Sequence, residues 1–169
     1  MNEEKQIRSD IIDLIHHEHE HICKLFTDLH DRFEKIAAGE LVEESRDEMV
    51  EAAAEELDVA LEEMLHHFNQ EEEVLFIDFE QRFPELAADV TSLVEAHESM
   101  CERTRWLQQQ FKKDSSMLSE NIDEILDVLR GMSQLVLKHT VEEQRFFTTV
   151  LTKIPAEERV SLLQAVQKL

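Results

Sequence analysis

Glycine and proline are almost absent from this chain of 169 residues, which contains only two of each. A β-sandwich or β-barrel needs a turn roughly every dozen residues, and such turns are rich in glycine and proline. The composition therefore excludes an all-β fold and argues against an α/β fold with glycine-rich crossovers. The two cysteines form no CxxC motif, which argues against a disulfide-based scaffold and predicts a reducing, cytoplasmic location.

Positive charge is also scarce. The chain has 17 lysines and arginines against 39 aspartates and glutamates, so its net charge is −22. Because such a chain repels phosphate groups, we expect neither nucleic acid nor an anionic membrane surface as a partner. The longest apolar run, residues 74–77, is too short to span a bilayer, and the N-terminus lacks the pattern of a signal peptide.

What the sequence does contain is a helical hydrophobic pattern. Apolar residues recur every three or four positions in four long blocks, which is typical of amphipathic helices. Gly39 suits the end of the first helix, and Pro84 suits the start of the third. Ser45 and Glu48 have the spacing of a capping box, which predicts that the second helix begins there. Short links between long helices predict an all-α fold, an up-down-up-down antiparallel four-helix bundle.

The same pattern predicts a short fifth helix after Pro155, packed on one end of the bundle. No linker or low-complexity segment interrupts the chain. We therefore predict a single domain over residues 1–169, with the bundle over about 8–152 and the C-terminal helix over about 155–169.

One histidine interrupts the apolar stripe of each long helix. These inward residues are His19, His67, His97 and His139. The second and fourth helices each add a glutamate four residues later, Glu71 and Glu143, on the same helix face. With a rise of about 1.5 Å per residue, the depths of the four histidines in an antiparallel bundle agree within about 5 Å. Four imidazoles and two carboxylates are therefore expected to meet at one level of the core.

Two explanations of these inward polar residues compete. Each histidine taken alone is most simply a buried residue that is hydrogen-bonded to a neighbour. Two buried, ionised glutamates, however, each cost several kcal/mol unless they are paired. No lysine or arginine occupies an inward position near that level. A bound cation offsets this cost, so the sequence predicts a metal site.

The residue types narrow the choice of metal. Four histidines would already complete a four-coordinate structural zinc site, which does not need two additional carboxylates. Imidazole together with carboxylate suits iron, manganese or zinc. Glutamates that enter from opposite helices can each bridge two ions, and each ion then binds two histidines. Coordination positions remain for a small ligand. We therefore expect two iron ions with carboxylate bridges and dioxygen or nitric oxide as the ligand, with zinc or manganese as the alternative metals.

Four motifs resemble those of the hemerythrin HHE cation-binding family. They are Glu18-His19-x-x-Ile22-x-x-Leu25-Phe26, His67-x-x-x-Glu71-Glu72-Glu73-Val74-Leu75-Phe76, His97-Glu98 and His139-x-x-x-Glu143-Gln144-Arg145-Phe146-Phe147. Motif order agrees with helix order, and the match spans residues 10–152. The resemblance implies a di-iron site in which Glu71 and Glu143 are the bridges. The ligands that it implies are His19, His67, Glu71, His97, His139 and Glu143.

The chain departs from the oxygen-carrying hemerythrins at two positions. Those proteins have a second histidine on the third helix where this chain has Cys101, and an aspartate on the fourth helix where it has Gln144. The set of four histidines and two glutamates is more similar to the hemerythrin-type iron–sulfur repair and nitric-oxide-responsive proteins.

Other polar and thiol side chains have simpler interpretations. Five histidines fall beside or opposite the stripes and are predicted to be solvated: His16, His17, His21, His30 and His66. Glu18, Glu72 and Glu98 could orient the ligating imidazoles, but exposed acids are the simpler interpretation. Cys23 and Cys101 either line the site or are small buried hydrophobes, which is the commoner case. They lie on diagonal helices, so no disulfide is expected between them.

Three functions follow from this sequence. The first is a protein that binds or senses dioxygen or nitric oxide, in stress responses or iron handling. The second is a di-iron enzyme that reduces nitric oxide or peroxide, or releases iron for cluster repair, because open coordination positions permit catalysis. The third is a metal-free helical interaction module.

Overall fold

The computed structural model describes the backbone of residues 2–169 and the side chains of residues 11–13, 15–114 and 116–169. The α-helices in this part of the chain are α1 (Asn2–Ala37), α2 (Glu43–Gln70), α3 (Ile77–Arg82), α4 (Ala87–Phe111), α5 (Ser115–Glu120), α6 (Ile122–Lys153) and α7 (Ala156–Gln167). A π-helical turn, Glu71–Phe76, joins α2 to α3, and a 3₁₀ turn, Pro84–Leu86, precedes α4. Residues 2–169 contain no strand, so the all-α prediction is confirmed. Met1, which the predicted domain includes, lies outside the described residues.

The helix boundaries agree with the sequence signals at Gly39 but not at Ser45. Gly39 has a φ of 68°, and its N–H donates to the carbonyl of Ile36 over 3.0 Å, so the predicted helix end is confirmed. The predicted start of α2 is wrong by two residues. The carbonyl of Val42 already accepts the N–H of Arg46 at 3.0 Å, which places Ser45 inside the helix rather than at its cap.

The long helices pack mainly in four pairs. Helix α1 lies against α2 and α6, and α4 also lies against α2 and α6. The guanidinium of Arg32 on α1 donates to both carboxylate oxygens of Glu56 on α2, over 2.7 and 3.0 Å. The short helix α7 packs on α1 and on the π turn. Its backbone carbonyl at Val166 accepts a hydrogen bond from the Gln70 side chain, 3.1 Å away.

Two apolar clusters fill the interior, one towards each end of the long helices. The first includes Phe26, Leu57, Met100 and Leu129. The second includes Ile15, Phe79, Leu93, Val150 and Leu162. Helices α1, α4 and α6 cross from one cluster to the other, and α2 does so together with the π turn and α3 that continue it. In each case the predicted site histidine lies between the two clusters. The fold therefore places one polar layer between two apolar ones.

None of the helices in the described part of the chain has a segment apolar enough to traverse a bilayer.

Candidate metal centre

All six predicted ligands are buried at the polar layer. Each is at most 2% exposed, and they come from every long helix: His19 from α1, His67 and Glu71 from α2 and the π turn, His97 from α4, and His139 and Glu143 from α6. The side chains of His19, Glu71, His139 and Glu143 offer ligand atoms that all lie within 4.8 Å of one another. The structure therefore brings together the residues that the sequence places at one depth.

The imidazoles are arranged as two pairs. The Nε2 atoms of His19 and His67 are 3.0 Å apart, and those of His97 and His139 are also 3.0 Å apart. Helices α1 and α2 supply the first pair, whereas α4 and α6 supply the second. In each pair the nitrogen atoms that could bind a metal converge on a common point.

Glu71 extends one carboxylate oxygen towards each histidine pair. Its Oε1 lies 2.8 Å from Nε2 of His67, and its Oε2 lies 3.1 Å from Nε2 of His97. A carboxylate in this position can reach two ions at once.

Glu143 repeats this arrangement from the opposite side. Its Oε2 lies 3.3 Å from Nε2 of His19, and its Oε1 lies 3.5 Å from Nε2 of His139. Each histidine pair therefore faces one oxygen from each glutamate. The result is two adjacent sets of two nitrogens and two oxygens.

The π turn begins at Glu71, within the site. A π turn contains an additional residue, and such turns are frequent at functional sites. It widens the helix so that two consecutive residues, Leu75 and Phe76, are both buried behind Glu71. The sequence prediction missed this feature. The signal that could have indicated it is the unbroken apolar run that starts at Val74.

Two acidic side chains hold imidazoles from neighbouring helices. Oε2 of Glu18 on α1 lies 2.6 Å from Nδ1 of His67 on α2, and Oε1 of Glu72 lies 2.7 Å from Nδ1 of His97 on α4. A carboxylate at Nδ1 fixes the ring orientation and leaves Nε2 for the metal. The suggested orienting role is therefore supported by geometry for Glu18 and Glu72, whereas Glu98 is exposed.

His67, His97 and Glu71 form a charged group in the protein without ions. Burial opposes the charge on His67, but the Glu71 charge and the nearby Glu18 carboxylate raise its pKa to about 10. Burial likewise opposes the charge on His97, while Glu71 and Glu72 raise its pKa above the ordinary value. These two cations in turn hold the pKa of Glu71 well below its usual range, against the effect of burial.

The remaining three site residues are neutral without ions. Burial, followed by the negative charge of Glu71, raises the pKa of Glu143 well above its ordinary value. Burial is also the main reason that the pKa of His19 falls to about 4 and that of His139 to about 3. The positive charges of His67 and His97 contribute to these two decreases.

The donor atoms fit a pair of cations. Within the described residues, the carboxylate oxygens of Glu71 and Glu143 and the Nδ1 atoms of His19 and His139 lack a well-aligned hydrogen-bond partner. The charges of His67 and His97 offset part of the cost of burying Glu71, and a raised pKa favours the neutral form of Glu143; bound cations could replace these protons as partners of both carboxylates. Imidazole and carboxylate together are ligands that iron accepts.

The cysteines and the other histidines lie outside this layer. Cys101 is 5% exposed, Cys23 is half-buried, and both are free thiols that belong to the first apolar cluster or pack against it. Burial raises the pKa of each thiol, so both behave as small apolar side chains. Of the five histidines predicted to be solvated, His17, His21 and His66 are exposed, and His16 and His30 are partly buried.

Comparison with protein-family models matches residues 10–150 to the hemerythrin HHE cation binding domain. Comparisons with curated proteins and with solved structures give no match. The family match covers most of the chain and includes all six residues of the buried His/Glu layer. The chain therefore belongs to the hemerythrin HHE cation-binding family.

Proposed function

We propose that the buried layer holds two iron ions and that this di-iron centre binds or senses a diatomic gas, dioxygen or nitric oxide. One observation carries the proposal: Glu71 and Glu143 each direct one oxygen towards the His19–His67 pair and the other towards the His97–His139 pair. A single ion would leave half of these donors unused. Four protein ligands per ion leave coordination positions for an exogenous ligand.

The charges in the layer support the binding of cations. Without ions, the layer favours protons on His67, His97 and Glu143, because the pKa of each of these groups is raised. These protons occupy the nitrogen and oxygen atoms that would bind metal. Ion binding therefore requires the release of these protons. After ion binding, the carboxylates of Glu71 and Glu143 would both have metal ions as partners.

A narrow cavity between α1 and α6 supports a ligand of diatomic size. Its volume is about 10 Å³, and His19, Thr140, Gln144 and Phe147 are among its lining residues. A cavity of this volume admits little more than one water-sized molecule. Of the six predicted ligands, His19 alone is among its lining residues, together with Gln144, the residue after Glu143.

The helix order supports an up-down-up-down four-helix bundle as the scaffold of this centre. Helices α1 and α4 run from the second apolar cluster to the first, whereas α6, and α2 with the π turn and α3 that continue it, run in the opposite direction. Successive long helices thus alternate in direction, with α7 as the additional C-terminal helix.

The cytoplasmic location stays a prediction from the cysteine content.

Elemental analysis and absorption spectroscopy of protein loaded with ferrous iron without air test this function. We expect two irons per chain and near-ultraviolet charge-transfer bands that change when dioxygen or nitric oxide is added. His67→Ala is expected to lose iron, while His30→Ala, which removes a histidine far from the layer, retains it. Zinc as the only stoichiometric metal, or iron bands that respond to neither gas, would contradict the proposal. Catalytic consumption of either gas with an electron donor would indicate an enzyme instead.

A further inference from the structure

A second group of metal-ligating side chains lies at the surface, outside the buried layer. A groove of about 360 Å³ separates the exposed faces of α1 and α2. Its lining residues are His17, Glu18, His21, Ile22, Glu63 and His66. Five of these six side chains are imidazoles or carboxylates, and none of the six is a lysine or arginine.

The spacing of these residues places their side chains on facing helix surfaces. His17 and His21 are four residues apart on α1, which is the separation at which two histidines on one helix can bind the same ion. Glu63 and His66 are three residues apart on α2, and Oε2 of Glu63 lies 3.6 Å from Nε2 of His21. The four side chains do not yet have all their ligand atoms within 4.8 Å of one another, so binding of one ion requires rotamer changes. His21 and Glu63 are more than half exposed, so they can make such changes at little cost.

We infer that this groove binds one divalent transition-metal ion, such as zinc, through His17, His21, Glu63 and His66. Three imidazoles and one carboxylate match the ligand types and the number that such an ion prefers. The charge of the chain, −22, further attracts cations to an acidic groove of this kind. A solvated ion pair would explain why His21 and Glu63 face each other in the groove. It would not explain why His17 and His66 line the same groove.

The groove lies directly outside the His19–His67 pair. Glu18 lines the groove, and its Oε2 atom contacts Nδ1 of His67, 2.6 Å away. A cation in the groove would therefore lie near a carboxylate that also orients a residue of the buried layer. The surface site and the buried layer nevertheless share no ligand atom.

Zinc titration by calorimetry tests the surface site. The sample is protein loaded with ferrous iron without air, with iron content measured separately by elemental analysis. We expect one more equivalent of Zn²⁺ to bind to the unsubstituted protein than to the His21→Ala/His66→Ala variant, with a dissociation constant on the order of micromolar. Both substituted residues are exposed, so iron content and thermal stability are expected to be unchanged.

The His30→Ala variant is the matched control, because His30 lies near two other acidic side chains, Asp31 and Glu34, at a separate surface position. It is expected to bind zinc as the unsubstituted protein does. Equal zinc stoichiometry in the unsubstituted protein and the double variant would overturn the inference, as would loss of the additional equivalent in His30→Ala. The readout is a difference of one zinc equivalent between the unsubstituted protein and the double variant. This difference does not depend on how much iron the buried layer has bound.

Discussion

At the residue scale, Glu71 and Glu143 have the same chemistry and nearly the same burial but opposite electrostatics. Glu71 lies between two protonated imidazoles, and their charge keeps its carboxyl group ionised. Glu143 contacts the same layer from the opposite side, but burial and the charge of Glu71 keep it protonated when no ion is present. The two glutamates should therefore respond differently to neutralisation.

Replacing each glutamate by glutamine separates these two environments. In metal-free protein, Glu143→Gln substitutes one neutral group for another, so the free energy of unfolding should change by less than about 1 kcal/mol. Glu71→Gln removes the buried carboxylate that His67 and His97 share and leaves only the partly exposed Glu18 and Glu72 beside them, so it should lower the free energy of unfolding by about 3 kcal/mol. Urea denaturation measures both, with the exposed Glu98→Gln as the control. Equal destabilisation by the two substitutions would refute the assigned charges.

Below pH 6.5, the buried imidazoles of His19 and His139 should lower the stability of the metal-free protein as the solution becomes more acidic. The pKa of His19 is about 4 and that of His139 about 3, against an ordinary 6.5. Above pH 6.5 these imidazoles are neutral in the folded and in the unfolded chain. Between about pH 6.5 and 4 they bind protons in the unfolded chain but not in the folded chain. These two imidazoles therefore lower the free energy of unfolding as the pH falls through that window, and Glu143, which holds a proton in the folded chain, offsets part of the decrease. A net decrease of about 2 kcal/mol is expected between pH 6.5 and 4.5. Urea denaturation over that range measures the slope, and an equally steep slope in His19→Asn/His139→Asn would contradict this origin.

The carboxylate that contacts Nδ1 of His97 should affect metal affinity without binding metal. Glu72→Ala removes that hydrogen bond, and loss of such a partner typically lowers metal affinity 10- to 100-fold, so we expect a decrease of about that size. Glu98→Ala removes an exposed glutamate next to His97 and should leave affinity unchanged. Competition with a chelator of known affinity measures the difference. Comparable losses in both variants would indicate a general effect of charge instead.

At the element scale, α7 stabilises the end of the helical assembly nearest the π turn. Leu162 and Val166 are buried in the second apolar cluster, and Arg82 on α3 pairs with Glu158 on α7. The Gln70 side chain ties the residue before Glu71 to the backbone of α7. Packing of this short helix thus supports the segment that carries a predicted ligand.

A pair of leucine substitutions measures this support. Leu162 is 6% exposed, so Leu162→Ala should lower the free energy of unfolding by about 2–4 kcal/mol, as expected when a buried leucine is truncated. Leu137 on α6 is 57% exposed, so Leu137→Ala should change the free energy of unfolding by less than about 0.5 kcal/mol. Chemical denaturation gives both values. If the two variants were equally stable, α7 would contribute little to the core.

The element scale is also where sequence-based prediction reached its limit. Helical periodicity predicted which residues face inward, because a histidine in an apolar stripe keeps its face whatever its neighbours are. It could not predict that Glu18 reaches His67, since that contact depends on how α1 and α2 are rotated against each other. The π turn at Glu71 departs from the 3.6-residue period itself, so only the unbroken apolar run from Val74, and not the periodic pattern, could have indicated it.

At the scale of the whole molecule, the net charge of −22 sets a general electrostatic cost of folding. Like charges are brought closer together in the compact state, and this repulsion opposes compaction. Only a minority of the acidic groups can find a basic partner, since acidic residues outnumber basic ones 39 to 17. Dissolved salt screens the remaining repulsion over a distance that shortens as ionic strength rises.

Sodium chloride should therefore raise the melting temperature. From low salt to about 0.5 M, we expect an increase of several degrees at pH 7.5, because screening weakens repulsion between exposed carboxylates. The same series near pH 4.6, the isoelectric point, is the control, since the net charge there is close to zero and the salt effect should largely disappear. Calorimetry measures both series. A salt effect of equal size at the two pH values would point to a cause other than charge repulsion.

The distribution of the site residues along the chain has a consequence for biosynthesis. The layer draws on residues from His19 on α1 to Glu143 on α6, near the two ends of the family match. A nascent chain that has emerged only as far as α4 has one complete histidine pair but lacks His139 and Glu143. The six buried side chains can come together only after α6 has left the ribosome and docked, so synthesis of the first three long helices does not complete the layer.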